Sequence, residues 1–165
     1  MAEAALSGAT HPILENDYAS EWMGVEVLAV SDGHATIRMT LRQEMLNGFG
    51  MAHGGMIFAF ADSAFALACN PVNPTPEEAD SITVAAGVDI NFLKPAYRGQ
   101  VITAVADRRS SSGRSGLYDI QIFAADADSQ PGAQPDSLPD SQPSSGNPGE
   151  LIAEFRGRSR TIPKK

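Results

Sequence analysis

The sequence predicts an α+β protein in which one long apolar helix lies across the concave face of an antiparallel β-sheet. Residues 54–69, GGMIFAFADSAFALAC, are apolar on every side. A hairpin-like stretch precedes this run, and about four strand-like stretches follow it with turn residues between them. Consecutive strands with short links favour antiparallel pairing, and a single all-apolar helix must be covered by the sheet.

Taken in order, residues 1–12 have no pattern and read as a loose tail. Residues 16–23 (NDYASEWM) suit a short helix with Asn16 or Asp17 as N-cap. Residues 25–30 and 35–41 flank Asp32-Gly33, a hairpin signal. In the second of these runs Thr36, Arg38 and Thr40 alternate with Ile37, Met39 and Leu41, which predicts one wet and one buried face. Residues 47–52 form a glycine-bearing loop into the central helix. Pro71 stops that helix, because proline cannot continue the hydrogen-bond ladder. The helix is shorter than the roughly 20 residues a bilayer demands, so it belongs in a core.

Residues 71–80 read as an exposed connection. The stretches 82–93, 101–109, 116–125 and 151–162 read as strands, with turns at 94–99 and 110–115. Residues 126–149 hold five prolines and repeat Asp-Ser-Gln-Pro. Such a segment cannot bury enough apolar surface to offset its ordering entropy, so it is expected to be disordered. It lies between two strands and reads as an expanded hairpin loop, so residues 1–165 make one domain.

Composition excludes several classes. The net charge is −8, with four Asp and no Lys or Arg in 126–149, which argues against a general nucleic-acid binder. No apolar run follows a basic N-terminus, so neither a secretory signal nor a membrane span is expected. One Cys precludes an intramolecular disulfide and fits a reducing, cytoplasmic compartment. With Cys69 and three scattered His, no metal-ligand spacing exists, and no cofactor is expected. His11 and His34 are expected in solvent, and Cys69 as a small buried hydrophobe.

The central helix carries a chemical clue. Asp62 is its sole ionisable side chain besides Cys69, and an unpaired buried carboxylate costs several kcal/mol by typical estimates. At the helix entrance His53-Gly54-Gly55 is expected to leave the first N–H groups uncovered by side chains, as an anion or oxyanion site would.

The stretch with Asn47, His53-Gly54-Gly55 and Asp62 resembles the hotdog-fold acyl-CoA thioesterases. The resemblance is to the hydroxyphenylacetyl-CoA thioesterases associated with phenylacetic acid degradation. It extends to Asp89-Ile90-Asn91-Phe92-Leu93-Lys94-Pro95, Gly116-Leu117-Tyr118-Asp119-Ile120 and Phe155-Arg156-Gly157-Arg158-Ser159. It implies that the Gly54 N–H polarises the thioester carbonyl. Asp62 would be nucleophile or general base, Asn47 would position water or the carboxylate, and His53 would orient the loop or touch the thioester. Related enzymes often place a hydroxyl on the facing strand. Here that region reads Ala85-Ala86-Gly87, with Thr83 the nearest hydroxyl.

A distance constraint follows. Eight helical residues separate Gly54 from Asp62, about 12 Å at 1.5 Å per residue. One carbonyl cannot be served by both groups of one chain, so a two-fold dimer with shared sites is expected. The resemblance implies the same arrangement, usually as a tetramer. Coenzyme A needs a basic rim, for which Lys94, Arg108, Arg109 and Arg114 are candidates. Gly55, Phe58 and Phe65 are candidates for substrate contact, the two phenylalanines equally for core. Two other classes compete. A hydratase or dehydratase of the same fold would want a His paired with an acid, and a non-catalytic acyl-CoA-binding module would have no need of Asp62.

Overall fold

The computed structural model describes residues 10–129 and 148–165; of the expected loop, residues 130–147 lie outside the described residues. Helix α1 (Tyr18–Met23) is capped by Asp17, whose carboxylate accepts from Ser20 N, and ends at Gly24 in a left-handed conformation. Strands β1 (Glu26–Ser31) and β2 (His34–Thr40) form the expected hairpin, with Gly33 at the positive φ a two-residue turn requires. Helix α2 spans Gly54–Cys69. Its cap Asn70 is extended because the residue before a proline is pushed out of the helical region. Strands β3 (Ser81–Phe92), β4 (Val101–Ser112), β5 (Ser115–Ala125) and β6 (Glu150–Pro163) complete the fold.

All neighbouring pairs in the six-stranded sheet are antiparallel, in the order β1-β2-β4-β5-β6-β3. The four later strands therefore do not line up in chain order. β2 pairs with β4 across the intervening helix, as in Ile37↔Ala104. β3 is carried to the far edge, where it pairs with β6, as in Ile90↔Phe155. Side-chain alternation tells which face of a strand is buried but not which strand lies beside it.

The core lies between α2 and the concave face. Ile57, Phe60, Ala61, Ala64, Phe65, Leu67 and Ala68 of the helix meet Ile37, Met39, Ile102, Ile120, Ile122, Ile152 and Phe155 of the sheet. Each large side chain so buried is worth about 1.5–3 kcal/mol. The Phe65 ring packs 5.3 Å from Tyr118 and 6.0 Å from Phe155. A Cβ at Gly157 would stand 2.7 Å from Phe65 Cε1, so only glycine lets this ring lie on β6.

The sheet covers only one side of α2. Gly55, Phe58, Ala59, Asp62, Ala66 and Cys69 stay partly or fully exposed, so the all-round wrapping expected from the sequence is not achieved within one chain. Two side-chain clamps fix the helix. Ser20 Oγ bridges Asp17 (2.6 Å) and Ser63 Oγ (2.9 Å), tying α1 to α2. Asn70 Nδ2 donates to Ala66 O and Thr83 O, both at 2.9 Å, and its Oδ1 accepts from Thr83 N at 3.0 Å.

Two histidines depart from expectation. His11 is buried, not solvated; of the stretch expected to be a loose tail, residues 1–9 lie outside the described residues. Its Nδ1 accepts the Ile13 N–H at 3.2 Å, so Nε2 carries the proton and donates to Asn70 O at 2.9 Å. A polar ring can be buried when both nitrogens are satisfied. His34 is half-buried on β2, with Nδ1 2.7 Å from Asp107 Oδ1 and Nε2 3.1 Å from Thr36 Oγ1. Among the described residues no helix is long and apolar enough to cross a membrane.

Candidate active site

The loop before α2 is shaped by Asn47. Its Oδ1 accepts from Phe49 N (2.9 Å) and Met51 N (3.2 Å), which leaves its NH2 end without a partner among the described residues. A bridge between Met51 and Tyr97 and a bond from Ala52 N to Ala96 O (2.8 Å) pin this loop to the 94–99 turn.

At the helix start, the sequence expectation needs correction. The first N–H groups are not all uncovered. Gly55 N donates to His53 Nδ1 at 2.9 Å, and Met56 N and Ile57 N donate to His53 O. His53 is thus the N-cap, and Gly55 has no N–H left for a ligand. The Gly54 N–H makes no hydrogen bond among the described residues. It stands at the positive end of a 16-residue helix, where a developing oxyanion is favoured.

Gly54 opens on a cavity of about 400 Å3 lined by Asn47, Met51, Ala52, Ile57, Phe92, Leu93, Lys94, Pro95 and Ala96. Of the residues singled out from sequence, this brings together Gly54, Asn47 and Lys94, with His53 and Gly55 alongside. Lys94 Nζ is already paired with Glu150. The apolar walls Met51, Ile57, Phe92 and Leu93 escaped the sequence reading. A signal existed: Phe92 and Leu93 are adjacent and both apolar, so alternation cannot bury them both.

Asp62 does not line this cavity. It is half-buried, and its carboxylate has no hydrogen bond or ion pair among the described residues. Desolvation raises its pKa above the ordinary carboxylate value. An unpaired, perturbed carboxylate on an otherwise apolar helix is a functional-site signal. Burial, with the charge of Asp62 adding to it, pushes the Cys69 thiol up to about 12, which keeps it protonated and poorly nucleophilic.

The remaining candidates lie elsewhere. Phe65 is sealed in the core at 1% exposure, so it offers no surface for a ligand. Phe58 is exposed on the uncovered side of α2 and packs 5.4 Å from the Phe155 ring. Arg108 is clamped to Asp32 by two hydrogen bonds of 3.1 and 2.8 Å. Arg109 and Arg156 share Asp119, each at 2.7 Å, and hold its carboxyl below the usual range, Arg156 chiefly. Ile120 and Phe155 face the core, so Asp119 and Arg156, and Arg109 with them, lie on the opposite face of the sheet. Arg114, in the β4–β5 turn, is exposed, and its side chain is unpaired among the described residues.

A free helix-terminal N–H on a cavity, an unpaired carboxylate two turns along the same helix, and an antiparallel sheet around that helix together define a class. Residues 49–129 match the Thioesterase superfamily. The chain belongs to that superfamily: it is a hotdog-fold thioester hydrolase. Among individual proteins, the acyl-coenzyme A thioesterase PaaI of Escherichia coli is 37% identical over 112 residues, covering 68% of this chain and 75% of the relative. The solved structure of the E. coli PaaI protein from the phenylacetic acid degradation operon superposes with a TM-score of 0.70 at 31% identity, over 91% of this chain and 88% of that one. A point-mutant structure of the phenylacetic acid degradation protein PaaI from Thermus thermophilus gives a TM-score of 0.65 at 27% identity, over 87% and 98%.

Proposed function

We propose that the chain hydrolyses the thioester of an acyl-coenzyme A, with arylacetyl groups such as hydroxyphenylacetyl as its preferred class. The observation that carries this is the unbonded Gly54 N–H on the wall of an apolar cavity. In this reading the carbonyl oxygen accepts that N–H, where the helix dipole stabilises the oxyanion as it forms. Asp62 either attacks the carbonyl or takes a proton from the attacking water, and its raised pKa improves it as a base. The thiolate leaves readily, because its conjugate acid has a pKa of about 8.5. Water adds, free acid and thiol depart, and no cofactor is invoked.

Both groups serve one substrate only if a second copy supplies Asp62, since about 12 Å of helix separates them. Two features support a two-fold dimer. Gly55, Ala59, Asp62, Ala66 and Cys69 recur at alternating four- and three-residue steps, a seam of small residues on the uncovered side of α2. The 12-residue β3 is an edge strand whose one strand partner among the described residues is β6. Pairing of two dimers as a tetramer extends the same reading. For the phosphates of coenzyme A, Lys94, Arg108 and Arg109 already carry carboxylates. Arg114 and Arg160, close together where Thr161 N meets Arg114 O and Arg160 pairs with Ser115, carry no carboxylate among the described residues. A hydratase reading is not favoured: the His–acid pair that the structure does form, His34 with Asp107, sits outside the cavity.

Turnover of phenylacetyl-CoA by the wild type, followed by free thiol release, tests the proposal. Asp62→Asn is expected to lower kcat by about 100- to 10,000-fold. Near-wild-type turnover by folded Asp62→Asn protein would remove Asp62 from the chemistry.

A further inference from the structure

Resting on that acyl-CoA reading, we infer that Phe92 is the specificity-determining wall of the acyl pocket, selecting groups that place a flat ring close to the thioester carbonyl. Its ring lies flush on Gly54: a Cβ built there would meet Phe92 Cζ at 3.1 Å. A carbonyl oxygen about 2.9 Å from the Gly54 N–H is then a neighbour of the same ring. Phe92 nevertheless keeps 53% of its surface, and both residues line the cavity.

The ring's placement follows from the strand pairing. Phe92 ends β3 opposite Ala153 of β6, and alanine is too small to fill the space over the ring. The backbone beyond it is held firmly, since Leu93 N and Lys94 N both donate to Ile152 O, at 2.8 and 3.2 Å. The facing loop is pinned by the Ala52–Ala96 bond. Walls held this way keep their spacing when a ligand arrives. Aromatic pairs prefer tilted or offset contact at centroid separations of about 4.5–7 Å. An acyl group whose ring is one methylene from the carbonyl can reach such a contact with Phe92. Met51, Ile57 and Leu93 make most of that surface apolar, Asn47 adds one neutral amide, and the one cation lining it, Lys94, is neutralised by Glu150. The pocket therefore favours an uncharged arylacetyl group over a dicarboxylic one.

The test compares kcat/KM for phenylacetyl-CoA and hexanoyl-CoA in full-length wild type, Phe92→Ala and Phe92→Leu. Wild type is expected to prefer phenylacetyl-CoA. Phe92→Ala should shift the ratio toward hexanoyl-CoA by about tenfold or more, the scale of a lost apolar contact in a binding pocket. Phe92→Leu, which keeps bulk without the ring, should shift it the same way by less, and it decides the matter if the alanine variant fails to fold. An equal fall for both thioesters overturns the assignment, because Phe92 would then line the pantetheine arm; an unchanged ratio overturns it too. Wild type that cleaves neither thioester sinks the acyl-CoA reading itself, and this inference with it.

Discussion

The Gly55 N–H donates to Nδ1 of His53 across 2.9 Å, so the imidazole closes the first turn of α2 from outside. With Met56 and Ile57 bonded to the His53 carbonyl, Gly54 alone among the four N-terminal N–H groups is left for a ligand. A side chain that consumes one donor thereby directs the helix terminus onto a single point. Because Nδ1 accepts, a neutral His53 ring carries its proton on Nε2.

This makes His53 testable as a positioning residue. His53→Ala should cost about 1 kcal/mol of stability by loss of the cap, and should lower turnover. His53→Asn restores a capping oxygen and should recover both. Denaturant melts and kcat measured side by side check it. An Asn variant of full stability that remains inactive would mean that the imidazole touches the substrate.

In the proposed mechanism Asp62 would couple chemistry to stability. Its pKa is raised in the folded chain, so the fold disfavours the carboxylate relative to the unfolded state. Below the unfolded value of 3.8 the group is protonated in both states and carries no penalty. As pH rises through 3.8 the unfolded chain ionises first, and stability falls until the folded carboxyl has ionised too. Asp62→Asn should therefore melt higher than wild type at pH 7, and the gap should narrow as pH drops toward 4. A gap independent of pH would show that the carboxylate is not desolvated.

If, as proposed, two copies share each site, inactive chains should rescue one another. Gly54→Pro removes the N–H at a position where proline is tolerated, although the nearby Phe92 ring must give by a few tenths of an ångström. Mixed with Asp62→Asn under subunit exchange, it should recover activity, because one hybrid site in two then pairs an intact Gly54 with an intact Asp62. Proven heterodimers without recovery would place both groups in one subunit.

Much of this was legible in the residues. The bounds of α2 follow from its apolar run and from Pro71, and the hairpin follows from Asp32-Gly33. The alternation of Tyr118, Ile120 and Ile122 with Asp119 and Gln121 placed β5 correctly. What stayed hidden depends on distant partners. Arg108 looked free until the fold brought Asp32, 76 positions away, against it. His11 looked solvated because Asn70, its acceptor, lies 59 positions on. The role of Phe92 is not legible, since nothing in a strand sequence reveals that its end leans on a helix terminus.

The strand order has a consequence for synthesis. Among the described residues β3 pairs with β6 alone, and the chain must grow from Phe92 through Glu150 before that partner exists. Until β6 leaves the ribosome, β3 cannot be incorporated into the sheet, and the ring that lies on Gly54 has nothing to hold it there. α2 and the β1–β2 hairpin can form early from local contacts, so the nascent chain carries its helix terminus long before it has a pocket. Thioester cleavage is therefore expected only once β6 has been made, and stalled or truncated chains lacking β6 should be inactive while still exposing the apolar helix α2.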